Sequence, residues 1–160
     1  MNKAIVVIGG GAGGMMAAIC AARKGAHVTL LDPNERLGKK VNITGKGRCN
    51  VTNDSTCEEL LAHVPQNPRF LYSVFSRFDG HDAIDFFEGL GVPLKVERGN
   101  RVFPVSDRSA DVLNVLERAL QRGGVERRQT TVTGLSIADG AINGVLTSDG
   151  PVACSTVLLC

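Results

Sequence analysis

The sequence has no tryptophan, one tyrosine and six phenylalanines, so aromatic residues make up only 4% of its 160 residues. It also lacks an apolar run of the roughly 20 residues that a membrane-spanning helix needs, and no membrane is expected as a partner. The run Ala4–Ile8 after Lys3 could pass for a secretory signal, but it is too short and breaks into glycines. A buried strand fits it better. Without a signal, the Asn-x-Ser/Thr matches at Asn42, Asn50 and Asn53 read as coincidence. Cys20, Cys49, Cys57, Cys154 and Cys160 include no C-x-x-C pair, and the three histidines form no zinc pattern. No metal is expected. An odd cysteine count and no signal imply reduced thiols in the cytoplasm. The net charge of +2 shows no patterned basic excess, so no nucleic-acid partner is expected.

What is present is an ordinary globular composition, 43% hydrophobic and 21% charged, enough for one domain with a core. Ala4–Ile8 is a continuous apolar run, as a parallel strand buried on both faces requires. Met15–Lys24 is Ala-rich and predicts a helix stopped by Gly25. His27–Leu31 predicts a second strand closing on Asp32. Residues 33–55 show neither period and predict a long loop, a length that usually signals function.

Residues 56–105 hold all seven aromatics and predict a helical, aromatic-rich segment whose aromatics form core. Helices are expected at 57–63, 68–78 and 82–89. Two short strands follow, around the turn Arg98-Gly99-Asn100. Residues 107–122 predict an amphipathic helix capped by Ser106 or Asp107 and stopped by Gly123-Gly124. Three strands are expected across 125–154. Val157–Leu159 starts another buried strand, read as central, and a chain ending there suggests a fragment.

The chemistry sits at the first turn. Gly9-x-Gly11-x-x-Gly14 lies between a strand and a helix. The first glycine permits the tight turn, the second lets backbone approach a pyrophosphate, and the third lets helix pack on strand. Helix N–H groups then face the phosphates. Ala18, Ala22 and Gly25 complete the unit. Asp32 lies eighteen residues after Gly14, where an acid can accept hydrogen bonds from ribose hydroxyls and would repel a 2′-phosphate.

Whether the dinucleotide is NAD or FAD is harder to read. A plain NAD domain would soon continue into another αβ unit. Here the loop LGKKVNITGKGRCNVTN follows, with Arg36, Lys39, Lys40, Lys46 and Arg48 and no acid from Arg36 to Asn53. Gly38, Gly45 and Gly47 open its backbone, and Thr44, Asn50 and Thr52 offer hydrogen bonds. A longer dinucleotide needs such a second segment; a solvated basic loop is the alternative. Arg48 can lower the pKa of Cys49, read as a thiol lining the cofactor site.

The segments VIGGGAGGMMAA, GKKVNITGKGRCNVTN and RVFPVSDRSADVL together resemble a bacterial group of flavoproteins, the BaiN-like NAD(P)/FAD-dependent oxidoreductases or aminoacetone oxidase family. The resemblance covers nearly the whole chain. It implies an α/β, Rossmann-like three-layer ββα FAD-binding domain with a β-meander crossover. Gly9, Gly11 and Gly14, with Ala12 and Gly13 between them, would hold the FAD pyrophosphate, and Asp32 the ribose. Lys39, Lys40, Thr44, Gly47, Arg48, Cys49 and Asn50 would run along the FAD, and the backbone at Val132 would meet the adenine. Residues 1–160 would be the N-terminal part of that domain. The substrate domain and the C-terminal return to the flavin, which family members carry, are absent from this chain. The expected activity is hydride or electron transfer through FAD to a small-molecule substrate, with NAD(P)H as a transient donor. No catalytic residue can be named. An NAD-binding dehydrogenase domain and an FAD-dependent RNA-modifying enzyme are the alternatives.

Overall fold

The computed structural model describes residues 4–160. They fall into two units, one running to Val41 and resuming at Leu116, the other Asn42–Val115. Elements are numbered along the chain.

In the first unit, β1 (Ala4–Ile8), β2 (His27–Asp32), β6 (Glu126–Gln129) and β10 (Thr156–Leu159) form a parallel sheet of order β10-β1-β2-β6. β7 (Val132–Ala138), β8 (Ala141–Thr147) and β9 (Gly150–Ala153) form an antiparallel meander. The period of two divides β1 and β2 between two faces. Val6 and Leu31 pack with Val145 and Cys154 of the meander side, ringed by Ile8, Val132, Ile142 and Val152. On the other face Val7 and Leu30 are fully buried against α1 (Ala12–Arg23), whose Met15, Ala18 and Ile19 are buried. This is the expected ββα layering with its meander. Burying each such Val or Leu contributes about 1.5–3 kcal/mol. Gly25, at φ +80, ends the helix as expected.

The second unit holds β3 (Thr52–Asn53), α3 (Cys57–Ala62), a 3-10 turn at Pro68–Leu71, α4 (Tyr72–Phe75), α5 (Gly80–Gly89), β4 (Leu94–Glu97) and β5 (Arg101–Pro104). Its antiparallel sheet has the order β3-β5-β4. Thr56 with Glu59, and Asp79 with Asp82, make reciprocal capping boxes that start α3 and α5. The short α2 (Lys39–Ile43) and α6 (Ser109–Arg122) carry the chain across the division.

Five expectations change. The 33–55 loop contains α2, a 3-10 turn at Thr44–Gly47 and β3. These pieces are too short to show a hydrophobic period. The 68–78 helix is only a 3-10 turn and one α-turn, too short to bury a face, so Phe70 and Tyr72 stand 76% and 59% exposed rather than in a core. Helix α6 begins at Ser109, because Asp107 adopts φ +55, outside helical space. Residues 125–154 make four strands, since β6 leaves the meander to pair with β2. β10 lies at the edge of the described sheet rather than at its centre.

Leu30→Ala is expected to cost about 2–5 kcal/mol in urea denaturation, through lost burial and a cavity. Phe70→Ala should stay within about 0.5 kcal/mol, as exposed substitutions do. Equal losses at the two positions would contradict this assignment of core and surface.

Candidate dinucleotide-binding site

β1 delivers the chain into Gly9, Gly10 and Gly11 before α1 begins. Three hydrogen bonds tie this turn to the end of β2 and beyond. The Gly9 N–H donates to the Leu31 carbonyl at 2.8 Å. The Gly10 N–H donates to Asp32 Oδ2 at 2.7 Å. The Gly38 N–H donates to the Gly10 carbonyl at 2.8 Å. A Cβ on Gly14 would lie 1.8 Å from the Gly9 carbonyl oxygen, and one on Gly10 would lie 2.3 Å from Leu37 Cδ2. No side chain fits at Gly14, where the obstacle is backbone, while one at Gly10 would require Leu37 to shift.

Gly11 and Gly13 differ. A Cβ on either meets nothing within 4 Å, and both residues are exposed. Packing therefore does not demand glycine there. Gly11 is the N-cap of α1, no side chain caps it, and the first turn holds no acid. Helix N–H groups and the positive dipole end thus face open space, a cradle suited to a phosphate. Ala12 is exposed in the same turn.

Asp32 is only 9% exposed. Its Oδ2 accepts from Gly10, and its Oδ1 accepts from the Asn34 N–H at 2.7 Å. Burial works against the charge. The backbone N–H groups of Gly10 and Asn34, the Asn34 side chain and the charge of Arg127 outweigh it, holding the carboxyl below the usual carboxylate range. Each oxygen keeps a lone pair for a further donor.

The loop after Asp32 is fastened to β6. Arg127 donates to the carbonyls of Asn34 and Glu35, and the Gln129 Nε2 donates to the Pro33 carbonyl at 3.3 Å. The Thr130 N–H donates to the Asp32 carbonyl at 3.1 Å. Lys39 Nζ donates to Asn34 Oδ1, and Lys40 is exposed nearby in sequence. Asn34, Arg127 and Gln129 were not singled out from sequence. What aligns them is the β2–β6 register, Leu30 opposite Arg127 and Asp32 opposite Gln129, across almost a hundred residues. Val132 opens β7, its side chain packed on the core between the sheets.

Thr44, Gly47, Arg48, Cys49 and Asn50 lie in the second unit. There Gly45, Lys46, Gly47 and Cys49 all take positive φ. Arg48 donates to Glu97 Oε1 at 2.9 Å and to Asp107 Oδ1 at 3.3 Å, and its guanidinium lies 4.1 Å from the Phe103 ring centroid. Lys95 closes the cluster on Asp107 at 2.7 Å. Oriented with its nitrogen toward them, the Asn50 amide donates to the carbonyls of Thr52 and Val102. Ser109 Oγ donates to Asn42 Oδ1 at 2.7 Å. Residues 42–50 and 97–109 thus pack on each other within the second unit.

One expectation is overturned. Cys49 is buried, and burial pushes its thiol up, with a Thr44 hydrogen bond only partly opposing. Arg48 does not activate it, because its hydrogen bonds go to Glu97 and Asp107.

The family model described as the HI0933-like protein Rossmann domain matches residues 3–160. The chain is 41% identical over 128 residues to the 3-dehydro-bile acid delta(4,6)-reductase of Clostridium scindens, covering 79% of the chain and 30% of that protein. It is 30% identical over 155 residues to the ribosomal RNA dihydrouridine synthase of Escherichia coli, covering 96% of the chain and 38% of that protein. The chain therefore spans about a third of the length of these relatives. Among solved structures, 3-ketosteroid-delta4-(5alpha)-dehydrogenase from Rhodococcus jostii RHA1 aligns with TM-score 0.73 at 18% identity, over 99% of this chain and 45% of that one. L-proline dehydrogenase from P. horikoshii aligns with TM-score 0.58 at 18% identity, over 99% and 52%. At such identities the structural likeness concerns the fold.

Asp32→Asn is expected to lower stability at pH 7 by about 1–3 kcal/mol, since one backbone N–H then faces an amide donor. Because the folded carboxyl is depressed, this advantage is present above the unfolded value of about 3.9 and is lost as pH falls through the folded one. The gap between the urea midpoints of wild type and variant should begin to close below about pH 4 and vanish only beneath the folded value; a pH-independent gap would contradict the assignment. With a maleimide probe, exposed Cys20 should react in the native state, and buried Cys49 and Cys154 only after unfolding.

Proposed function

The chain belongs to the HI0933-like Rossmann family, and on that premise we propose that it is the FAD-binding portion of a flavoprotein oxidoreductase. The observation that carries this reading is the open Gly11–Gly13 cradle beside a buried, ionised Asp32. Gly9, Gly11, Ala12, Gly13 and Gly14 would hold the pyrophosphate by backbone N–H groups and helix dipole. Asp32 would accept from the adenosine ribose. Lys39 and Lys40 add positive charge on the same unit. When bound, FAD supplies hydride or electron transfer, which no side chain here can supply.

Further parts of the reading rest on the sequence resemblance alone. Thr44, Gly47, Arg48, Cys49 and Asn50 serve as a second FAD segment. For Arg48 and Asn50 that role would be carried by backbone, since their side chains already hold partners. Val132 meets the adenine through its backbone. NAD(P)H acts as a transient donor. The substrate is a small molecule, as the likeness to the bile-acid reductase of Clostridium scindens supports. Residues that shape its pocket belong to the length of the relatives that this chain does not span.

A second reading is favoured by one observation, the likeness to the ribosomal RNA dihydrouridine synthase of Escherichia coli. In this reading the basic 36–48 loop would touch RNA. Against it, acidic side chains outnumber basic ones across Asn42–Val115, and Arg48 is paired to acids. Phosphate contacts would give RNA affinity a steep salt slope.

The visible spectrum of the purified chain, with chromatography of heat-released cofactor, tests the main reading. FAD is the expected product, and Gly11→Ala should weaken FAD at least about tenfold, or 1.4 kcal/mol, while costing stability no more than the roughly 1 kcal/mol of a poorer N-cap. Tight NADH binding without flavin would instead identify a plain NAD domain.

A further inference from the structure

We propose that Arg127 and Gln129, on the edge strand β6, are positioning residues that fix the adenosine-ribose acceptor, so that the site selects a ribose diol. This inference rests on the dinucleotide reading of Asp32.

Asp32 is the last residue of β2, and the chain leaves the sheet there into Pro33, Asn34 and Glu35. Loop carbonyls at such an exit would ordinarily turn to water. Here three successive ones are held by side chains of the neighbouring strand. Gln129 donates to Pro33, and Arg127 donates to Asn34 and Glu35. A guanidinium suits this task, because its planar fork offers several donors at fixed angles. The sheet register makes the placement systematic. Arg127 sits opposite Leu30 and Gln129 opposite Asp32, so both side chains rise on the face that carries Asp32.

The consequence falls on Asn34. Its carbonyl is held by Arg127 and its side-chain oxygen by Lys39. Its N–H is thereby aimed at Asp32 Oδ1 at 2.7 Å. Gly10 fixes the other oxygen at 2.7 Å. The carboxylate is pinned from both sides, and only its remaining lone pairs are open to a ligand. Two vicinal hydroxyls match that demand, since a diol presents two donors to two acceptors. Sites of this kind discriminate sharply only when the acceptor is held to a fraction of an ångström. Arg127 and Gln129 need not touch the ligand to provide this.

The test compares ADP with 2′,3′-dideoxy-ADP by calorimetry on the wild-type chain and on R127A, Q129A, D32N and R127A/D32N. ADP carries the adenosine and pyrophosphate but no flavin. Wild type should prefer ADP by about tenfold or more, the worth of hydrogen bonds to a charged acceptor. D32N should bring the preference close to one. R127A should lower it several-fold and Q129A less, and R127A should add nothing on top of D32N. In Q129A and R127A, loss of the diol preference with an unchanged thermal midpoint separates positioning from general destabilisation. Because Gln129 is neutral, a fall in Q129A also separates it from the charge of Arg127. Should R127A fail to fold, Q129A decides alone. An unchanged preference in the folded variants, with ADP still bound, overturns the proposal and leaves the cofactor reading standing. A wild-type chain that binds no ADP overturns both.

Discussion

The hydrogen bond from the Gly10 N–H to the Asp32 carboxylate is the constraint on which the candidate site depends. It joins the loop leaving β1 to the end of β2, so the glycine turn and the Asp32 carboxylate cannot move independently. The same turn is tied through the Gly10 carbonyl to Gly38, which fixes where the chain departs toward Lys39 and Lys40. A nearly buried carboxylate is tolerated only with partners, and charge-assisted bonds of this kind contribute about 1.5–3 kcal/mol each. The acid often read from sequence as a ligand contact is here first a structural element. Its capacity for ligand is what the backbone donors leave over.

A parallel logic governs the second unit. Lys46 and Cys49 hold left-handed backbone without being glycine, which costs of order 1 kcal/mol each and needs surroundings that over-determine it. Arg48 lies between them. Its side chain is anchored by Glu97, Asp107 and the face of Phe103, while Gly45 fits only because a Cβ would press on that same ring. Arg48 is therefore not a solvated cation, whereas Lys40 and Lys46 of the same stretch are exposed. The composition of that stretch reflects a backbone shape that one ion-pair cluster and one aromatic ring keep in place.

Much of this was legible because it is local. The strand–turn–helix–strand of residues 4–32 follows from an apolar run, three spaced glycines, an alanine-rich stretch and a stopping Gly25. The hairpin around Gly99 and the helix ending at Gly123-Gly124 follow from similar local signals. What stayed hidden is set by partners distant in sequence. Nothing in Glu126-Arg127-Arg128-Gln129 announces a strand, because no residue in it is apolar; pairing with β2 makes it one. The environment of Cys49 was misread because adjacency to Arg48 in sequence says nothing about where the guanidinium points. Phe70 and Tyr72 were misread because hydrophobic residues alone do not make a core; a helix of one turn cannot present enough surface to bury them.

The arrangement around Asp32 also bears on which dinucleotide suits the first unit. Two unit charges about 5 Å apart near a protein surface interact by about 3 kcal/mol, so a 2′-phosphate beside Asp32 would meet a penalty worth roughly a hundredfold in affinity. Arg127 stands close enough to influence Asp32 and could in principle compensate such a phosphate. Its donors, however, are directed at the carbonyls of Asn34 and Glu35, and freeing them would release the loop that positions the carboxylate. Accepting a 2′-phosphate would thus demand both the neutralisation of Asp32 and the dismantling of its support. An adenosine with both hydroxyls unmodified demands neither, and this asymmetry favours FAD or NAD over NADP at this turn on physical grounds alone.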